Sequence, residues 1–136
     1  MKAGAMAVVD PLAADASTQI IKFTDGGAWG IIDLVGLTST VQLALSSLTK
    51  GGKLVLVGLF GGEITLSLPT FPLRANTLQG SYTGSLGELK ALVDLVQRKG
   101  LPDIPVACRP LPDANAVLAE LRAGKVIGRV VLTPTA

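Results

Sequence analysis

Residues Gly51 to Gly62, GGKLVLVGLFGG, constrain this chain more than any other stretch. Leu54–Val55–Leu56–Val57 is an unbroken apolar run, led in by two glycines and followed by Gly58, Gly61 and Gly62. A strand with one wet face alternates between polar and apolar residues. A run without alternation predicts a strand covered on both faces, the usual state in a parallel sheet flanked by helices. Its C-terminal end, where the glycines return, is the end at which open α/β sheets bind ligands.

The rest of the chain supplies elements that fit such a sheet. Ala7–Val9 reads as a short strand. Asp10–Pro11 opens a helix carrying Leu12, Ala16, Ile20 and Phe23, which Gly26–Gly27 ends. Trp29–Leu34 reads as a strand that stops at Val35–Gly36. Thr38 or Ser39 caps a helix with Val41, Ala44, Leu45 and Leu48 on one face, closed by Lys50 and Gly51. The strand Lys53–Leu59 follows. Ile64–Leu68 alternates like a strand or an edge segment, and Asn76–Tyr82 reads as a further strand. Ser85 and Glu88 have capping-box spacing ahead of a helix with Leu89, Leu92, Val93 and Val96, which Gly100 ends. Pro105–Pro110 reads as extended, Asp113 caps a last helix ending at Gly124, and Val126–Leu132 closes the chain as a strand. Repeated strand–helix alternation predicts the α/β class, with a parallel sheet and right-handed crossovers. The four prolines between Pro102 and Pro112 mark the best candidate boundary.

Composition removes several function classes. At 136 residues, with 49% apolar and 16% charged residues, the chain suits one domain with a real core. No segment reaches the roughly 20 apolar residues of a membrane-spanning helix, and the N-terminus lacks a signal-peptide core. A cytoplasmic protein is expected, without a membrane partner. A formal charge of +2, without a basic cluster interleaved with aromatics, disfavours nucleic acid. There is no histidine and one cysteine, Cys108. That excludes a Ser-His-Asp triad, a Cys-His pair and an internal disulfide, and it argues against a zinc site built from this chain alone. No catalytic residue and no metal ligand is assigned.

The segments IIDLVG (Ile31–Gly36), GGKLVLVGLFGG, QGSYTGS (Gln79–Ser85) and GKVIGRVVL (Gly124–Leu132) together resemble the zinc-type alcohol dehydrogenases of the medium-chain dehydrogenase/reductase family. The four occur in order over nearly the whole chain. The resemblance implies a partial, Rossmann-like, doubly wound parallel sheet lacking its first strands, over residues 1–104. Residues 105–136 would be a C-terminal segment returning to a catalytic domain that this chain does not contain. Ala3–Gly4–Ala5 resembles the end of the helix after the family's second cofactor strand. The G-x-G-x-x-G turn is not reproduced here: the glycines at 26, 27 and 30, or at 80, 84 and 87, have the wrong spacing and context.

The same resemblance implies cofactor-binding roles. Val35 and Gly36 would line the adenosine ribose, Val57, Gly58 and Leu59 would hold the nicotinamide ring and carboxamide, Ser81, Tyr82 and Thr83 would form a second nicotinamide contact, and Arg129 would reach the pyrophosphate. The plain alternatives are a strand-ending turn at Val35–Gly36, a buried strand with a glycine turn at Val57–Leu59, the end of a strand leading into the capped helix at Ser81–Thr83, and a surface arginine on the last strand at Arg129. Asp33 reads as a satisfied buried carboxylate, Trp29 as a core residue and Cys108 as a small packed one. The parent reaction is NAD- or NADP-dependent hydride transfer between an alcohol and an aldehyde or ketone. The chain alone is expected to be inactive, and whether it retains a cofactor is open. Two alternatives stand beside this. One is a non-catalytic homo-oligomeric module assembled through exposed sheet edges, since loss of the first strands would bare the Trp29–Leu34 edge. The other is part of a zinc-free, quinone-reductase-like NADPH enzyme.

Overall fold

The computed structural model describes residues 4–100 and 104–134. Helix α1 (Ala16–Phe23) precedes strand β1 (Ala28–Asp33), and α2 (Thr38–Ser47) crosses to β2 (Leu48–Leu56). A long connection with the one-turn helix α3 (Thr70–Arg74) leads to β3 (Thr77–Gly80), followed by α4 (Leu86–Lys99). Then come β4 (Val106–Pro110), a 3-10 turn (Leu111–Asp113), α5 (Ala114–Arg122) and β5 (Arg129–Thr133). The α/β class with parallel strands holds: β1, β2 and β3 form one parallel sheet in that order, and β4 pairs in parallel with β5. The chain divides into two compact units, residues 4–89 and the described residues from 90 onward.

In the first unit, the apolar residues of α2 explain where the core sits. Val41 and Ala44 of α2, with Leu48 at the start of β2, close over Leu54, which is 0% exposed. Ile31, Leu56, Ile64 and Leu78 pack around this cluster. Burying each large side chain contributes about 1.5–3 kcal/mol relative to leaving it exposed. The β1–β2 register slips between Ala28 and Gly30, so β2 carries extra residues near its start. Asn76 spans that irregularity: its amide donates to the carbonyls of Thr49 at 2.8 Å and Gly52 at 3.2 Å. The Arg74 guanidinium donates to Leu48 O, the carbonyl at the end of α2.

The second unit has less to enclose. Val117 of α5, at 7% exposed, is its one buried apolar residue among those described. Arg109 and Glu120 form an exposed ion pair at 3.7 Å, a kind that contributes under about 1 kcal/mol. At the start of α4, the expected capping box forms: Ser85 N–H donates to Glu88 Oε2 at 2.6 Å, and Glu88 N–H donates to Ser85 Oγ at 3.2 Å.

Several expected boundaries move. Ala7–Val9 forms no strand, because no described strand pairs with it. Asp10 does take a backbone donor, Leu12 N–H at 2.9 Å, but the helix proper begins only at Ala16. Leu37, not Thr38 or Ser39, precedes α2, since the Thr38 hydroxyl donates instead to Glu63 O at 3.0 Å. The helix ends at Ser47 rather than Lys50–Gly51: burial of Leu48 in an extended conformation draws the chain into β2. That strand stops at Leu56, three residues before Leu59. Ile64–Leu68 joins no ladder, because β3 takes the second edge of β2. The last strand starts at Arg129 rather than Val126, and the Asp113 side chain makes no cap hydrogen bond.

Two core assignments are overturned. Trp29 is 74% exposed. The slip in register takes it out of the regular ladder, and its ring lies beside Gly51. Cys108 is exposed on β4, where a two-stranded sheet with one helix cannot cover both faces. Ala3, of the Ala3–Gly4–Ala5 reading, and Pro102, of the boundary reading, lie outside the described residues. Among those described, no helix is long and apolar enough to cross a membrane.

Candidate functional site

The ladder register makes three strands end level. Asp33 of β1 stands opposite Leu56 of β2, which stands opposite Gly80 of β3. All three strands run in the same direction, so their C-terminal ends form one edge of the sheet. Eight candidate residues follow directly from those ends: Val35 and Gly36 after β1, Val57, Gly58 and Leu59 after β2, Ser81, Tyr82 and Thr83 after β3.

Backbone hydrogen bonds tie the first two turns together. Val57 and Gly58 both donate to Asp33 O, at 2.9 and 3.0 Å. Phe60 N–H donates to Val35 O and Gly61 N–H to Gly36 O, each at 3.1 Å. The third turn joins through Ser81 N–H, which donates to Leu56 O at 2.8 Å. Gly36 and Gly58 are the residues that permit this approach. A Cβ at Gly36, whose φ is +74°, would overlap the Gly58 carbonyl, and a Cβ at Gly58 would overlap the Val35 backbone. Thr83 adopts a left-handed conformation with φ +46°, uncommon for a β-branched residue.

Beside these turns lies a cavity of about 300 Å³, lined among others by Gly36, Leu56, Gly58, Leu59, Ile64 and Leu78. Its walls are mostly apolar, with Glu63 the one charged residue among those lining it. Leu59 N–H and the carbonyls of Val57 and Gly58 make no backbone hydrogen bond among the described residues. Free backbone donors and acceptors next to an apolar wall suit a flat ring carrying an amide, because close approach requires small residues. Tyr82 is exposed.

Asp33 organises this edge. Its Oδ1 accepts from Val35 N–H at 2.8 Å and Gly36 N–H at 2.9 Å, and its Oδ2 accepts from the Thr40 hydroxyl at 2.7 Å. Burial alone pushes the carboxyl pKa up. The bonds from Gly36 N–H, the Thr40 hydroxyl and Val35 N–H together outweigh it and hold the group below the ordinary carboxylate value. The reading of Asp33 as a satisfied carboxylate therefore matches its bonding. Thr40 carries no motif signal in the sequence. It lies seven residues on, across a turn and into a helix, and the one cue was its place three residues after Leu37, whose N–H its hydroxyl accepts at 3.1 Å. Asn76 and Arg74 likewise carry no motif signal.

Arg129 is the first residue of β5 and belongs to the second unit. It is exposed there, its N–H donates to Pro105 O at 2.8 Å, and it borders a cavity of about 180 Å³ with Val117, Leu121 and Gly128.

Parallel strands joined by helical crossovers, with glycine turns gathered at their C-terminal ends, define a Rossmann-type α/β fold. The chain belongs to the zinc-binding dehydrogenase family, whose profile matches residues 1–98. It is 30% identical to an NAD-dependent alcohol dehydrogenase of Sulfurisphaera tokodaii, over 98% of this chain and 39% of that protein. It is 36% identical to a D-arabinose 1-dehydrogenase (NADP(+)) of Saccharolobus solfataricus, over 88% of this chain and 34% of the relative. The crystal structure of the alcohol dehydrogenase of Aeropyrum pernix superposes with a TM-score of 0.84 at 33% identity, over 96% of this chain and 38% of that one. The chain thus spans under two fifths of the length of these relatives.

The family name implies zinc, and the donors of this chain do not fit a zinc centre. It contains no histidine and a single cysteine, and no three His, Cys, Asp or Glu side chains cluster among the described residues.

Proposed function

We propose that this chain forms the nicotinamide side of an NAD(P) pocket in an alcohol dehydrogenase-like protein. The observation that carries the reading is the set of free backbone groups at Val57, Gly58 and Leu59, beside an apolar cavity at a level sheet edge. Val35 and Gly36 would face the ribose, and Ser81, Tyr82 and Thr83 the second side of the ring; for Arg129, in the other unit, a phosphate role rests on the family resemblance alone. Guanidinium suits that role through paired donors. The cofactor, when bound, supplies the hydride exchanged between an alcohol and an aldehyde or ketone. The protein's contribution is to orient the ring and keep water from one face. The chain by itself is inactive in this reading, because its sequence reproduces no G-x-G-x-x-G turn and no residue in it is assigned as catalytic acid, catalytic base or zinc ligand. Titration of the chain with NADH and NADPH, followed by amide NMR, is expected to shift Val57–Leu59 and Ser81–Thr83 without alcohol turnover. Unmoved signals at those residues would discard the pocket, and turnover by the chain alone would discard its inactivity.

A second reading rests on the free edge of β1. Among the described residues that strand has a ladder partner on one side only, and Trp29 and Ile32 on it and Leu34 just after it are exposed. An open apolar edge invites another strand, and a second copy of the chain could supply it as a homo-oligomer. Light scattering at micromolar concentration checks this, and a strictly monomeric species removes it.

A further inference from the structure

We infer that Asp33, together with Thr40, is a positioning residue that locks the turn after β1 onto the turn after β2, so that both present one surface to a bound nicotinamide. The inference rests on the pocket reading above and deepens it. The carboxylate does not line the cavity beside the glycine turns. It lines a separate recess of about 150 Å³, formed with Ile20 of α1, Ile31 and Ile32 of β1, and Thr40, Leu43 and Ala44 of α2. Asp33 can therefore act on a ligand only through the turns.

The means of transmission is visible in the bonding. Oδ1 fixes the amides of Val35 and Gly36, and the Asp33 carbonyl fixes the amides of Val57 and Gly58. One residue thus grips both turns, by its side chain and by its backbone. Gly36 and Gly58 then touch with no room for a Cβ, so a displacement of Gly36 must displace Gly58. Thr40 completes the arrangement. Its hydroxyl meets Oδ2 and also accepts Leu37 N–H, tying the carboxylate to the first turn of α2. The other residues lining the recess from α1, β1 and α2 carry no titratable group, so Asp33 titrates without a charged neighbour there.

The fold favours the charged form, since the hydrogen bonds outweigh burial. The lock is therefore complete above the ordinary carboxyl range near pH 4 and is lost as pH falls through the lowered value of the folded protein. A group with only a capping role would change overall stability and would leave Gly58, which the carboxylate does not touch, unaffected.

Amide hydrogen exchange on the whole chain separates these cases. Asp33→Asn keeps the shape but cannot accept the Thr40 proton at its nitrogen. It is expected to speed exchange at Gly36 and Gly58 about tenfold, with Leu54 and Leu78 unchanged. Thr40→Val should give a smaller effect of the same pattern, and Thr40→Ser should restore protection. In the unaltered protein the Gly58 amide shift should titrate in acid together with Gly36, and Asp33→Asn should abolish that inflection. Unchanged exchange at Gly58 in both Asp33→Asn and Thr40→Val, or an acid titration that persists in Asp33→Asn, overturns the inference. If Asp33→Asn does not fold, Thr40→Val and the acid titration decide it. An NADH titration of the same samples is read separately. Failure of the unaltered chain to respond to NADH defeats the pocket reading, while the Gly58 response still decides whether Asp33 locks the two turns.

Discussion

The two sheets of this chain are both parallel, yet they treat their apolar residues differently. In the three-stranded sheet, Leu54 of the middle strand is flanked by β1 and β3 and covered by α2, and it is fully buried. In the two-stranded sheet every residue is an edge residue, and one helix covers it. Val106 and Val131 remain exposed on its strands, as do Leu118 and Leu121 on α5. Strand number explains the contrast. A middle strand has both ladder sides filled, whereas two strands leave an edge on each side and rarely hold together unaided. The glycine turns belong to the first sheet, so the candidate site is built on the better-supported of the two.

Substitutions can break this comparison. The largest effect is expected at Gly58→Val, where the new side chain meets the Val35 backbone rather than a yielding side chain. A loss of roughly 4 kcal/mol or more is expected by urea denaturation, because neither turn can retreat without breaking its bonds to Asp33. A loss below about 1 kcal/mol would show that the turns are not in contact. Next, Leu54→Ala should cost about 2–5 kcal/mol through the cavity it leaves. Leu121→Ala, at an exposed position of α5, should stay within about 0.5 kcal/mol. Equal costs at the two positions would mean that the second unit is as well packed as the first. Between those two falls Ser85→Ala, expected to remove about 1 kcal/mol through loss of the cap of α4. Backbone exchange confined to the first turn of that helix is its signature. Its partner adds a pH arm. Glu88 is held below the ordinary carboxyl value, first by Ser85 N–H and then by the Ser85 hydroxyl. The capping contribution should therefore be present above that ordinary value and fade as pH falls through the lowered one.

Much of the fold was legible because it is written in local chemistry. The unmixed run at Leu54–Val57 pointed to a strand covered on both faces, and Leu54 is buried, although Val55 and Leu56 are only half-buried and Val57 is exposed; the spacing of Val41 and Ala44 pointed one face of α2 at a core. The Ser85–Glu88 spacing gave a cap that formed as expected. The eight turn residues were legible as strand ends carrying glycine. Other features depended on partners far along the chain. Nothing near Trp29 announces the slip in register that leaves it exposed. Nothing near Ile64–Leu68 says that β3 will take the second edge of β2. The donation from the Thr38 hydroxyl to Glu63 spans 25 residues, and it moved the start of α2 away from its apparent cap.

The sequence by itself determined the class of fold, the parallel strands and the glycine-ended turns, since each follows from periodicity and from what a backbone without a side chain can do. The lack of histidine and the single cysteine are likewise read from the sequence, and they argue against a zinc site built from this chain alone. Only the tertiary structure decided that Asp33, Leu56 and Gly80 lie level, and that the carboxylate of Asp33 joins two turns through Val35, Gly36 and Thr40. Those facts depend on ladder register and on contacts between elements, and a register becomes fixed only when the strands meet.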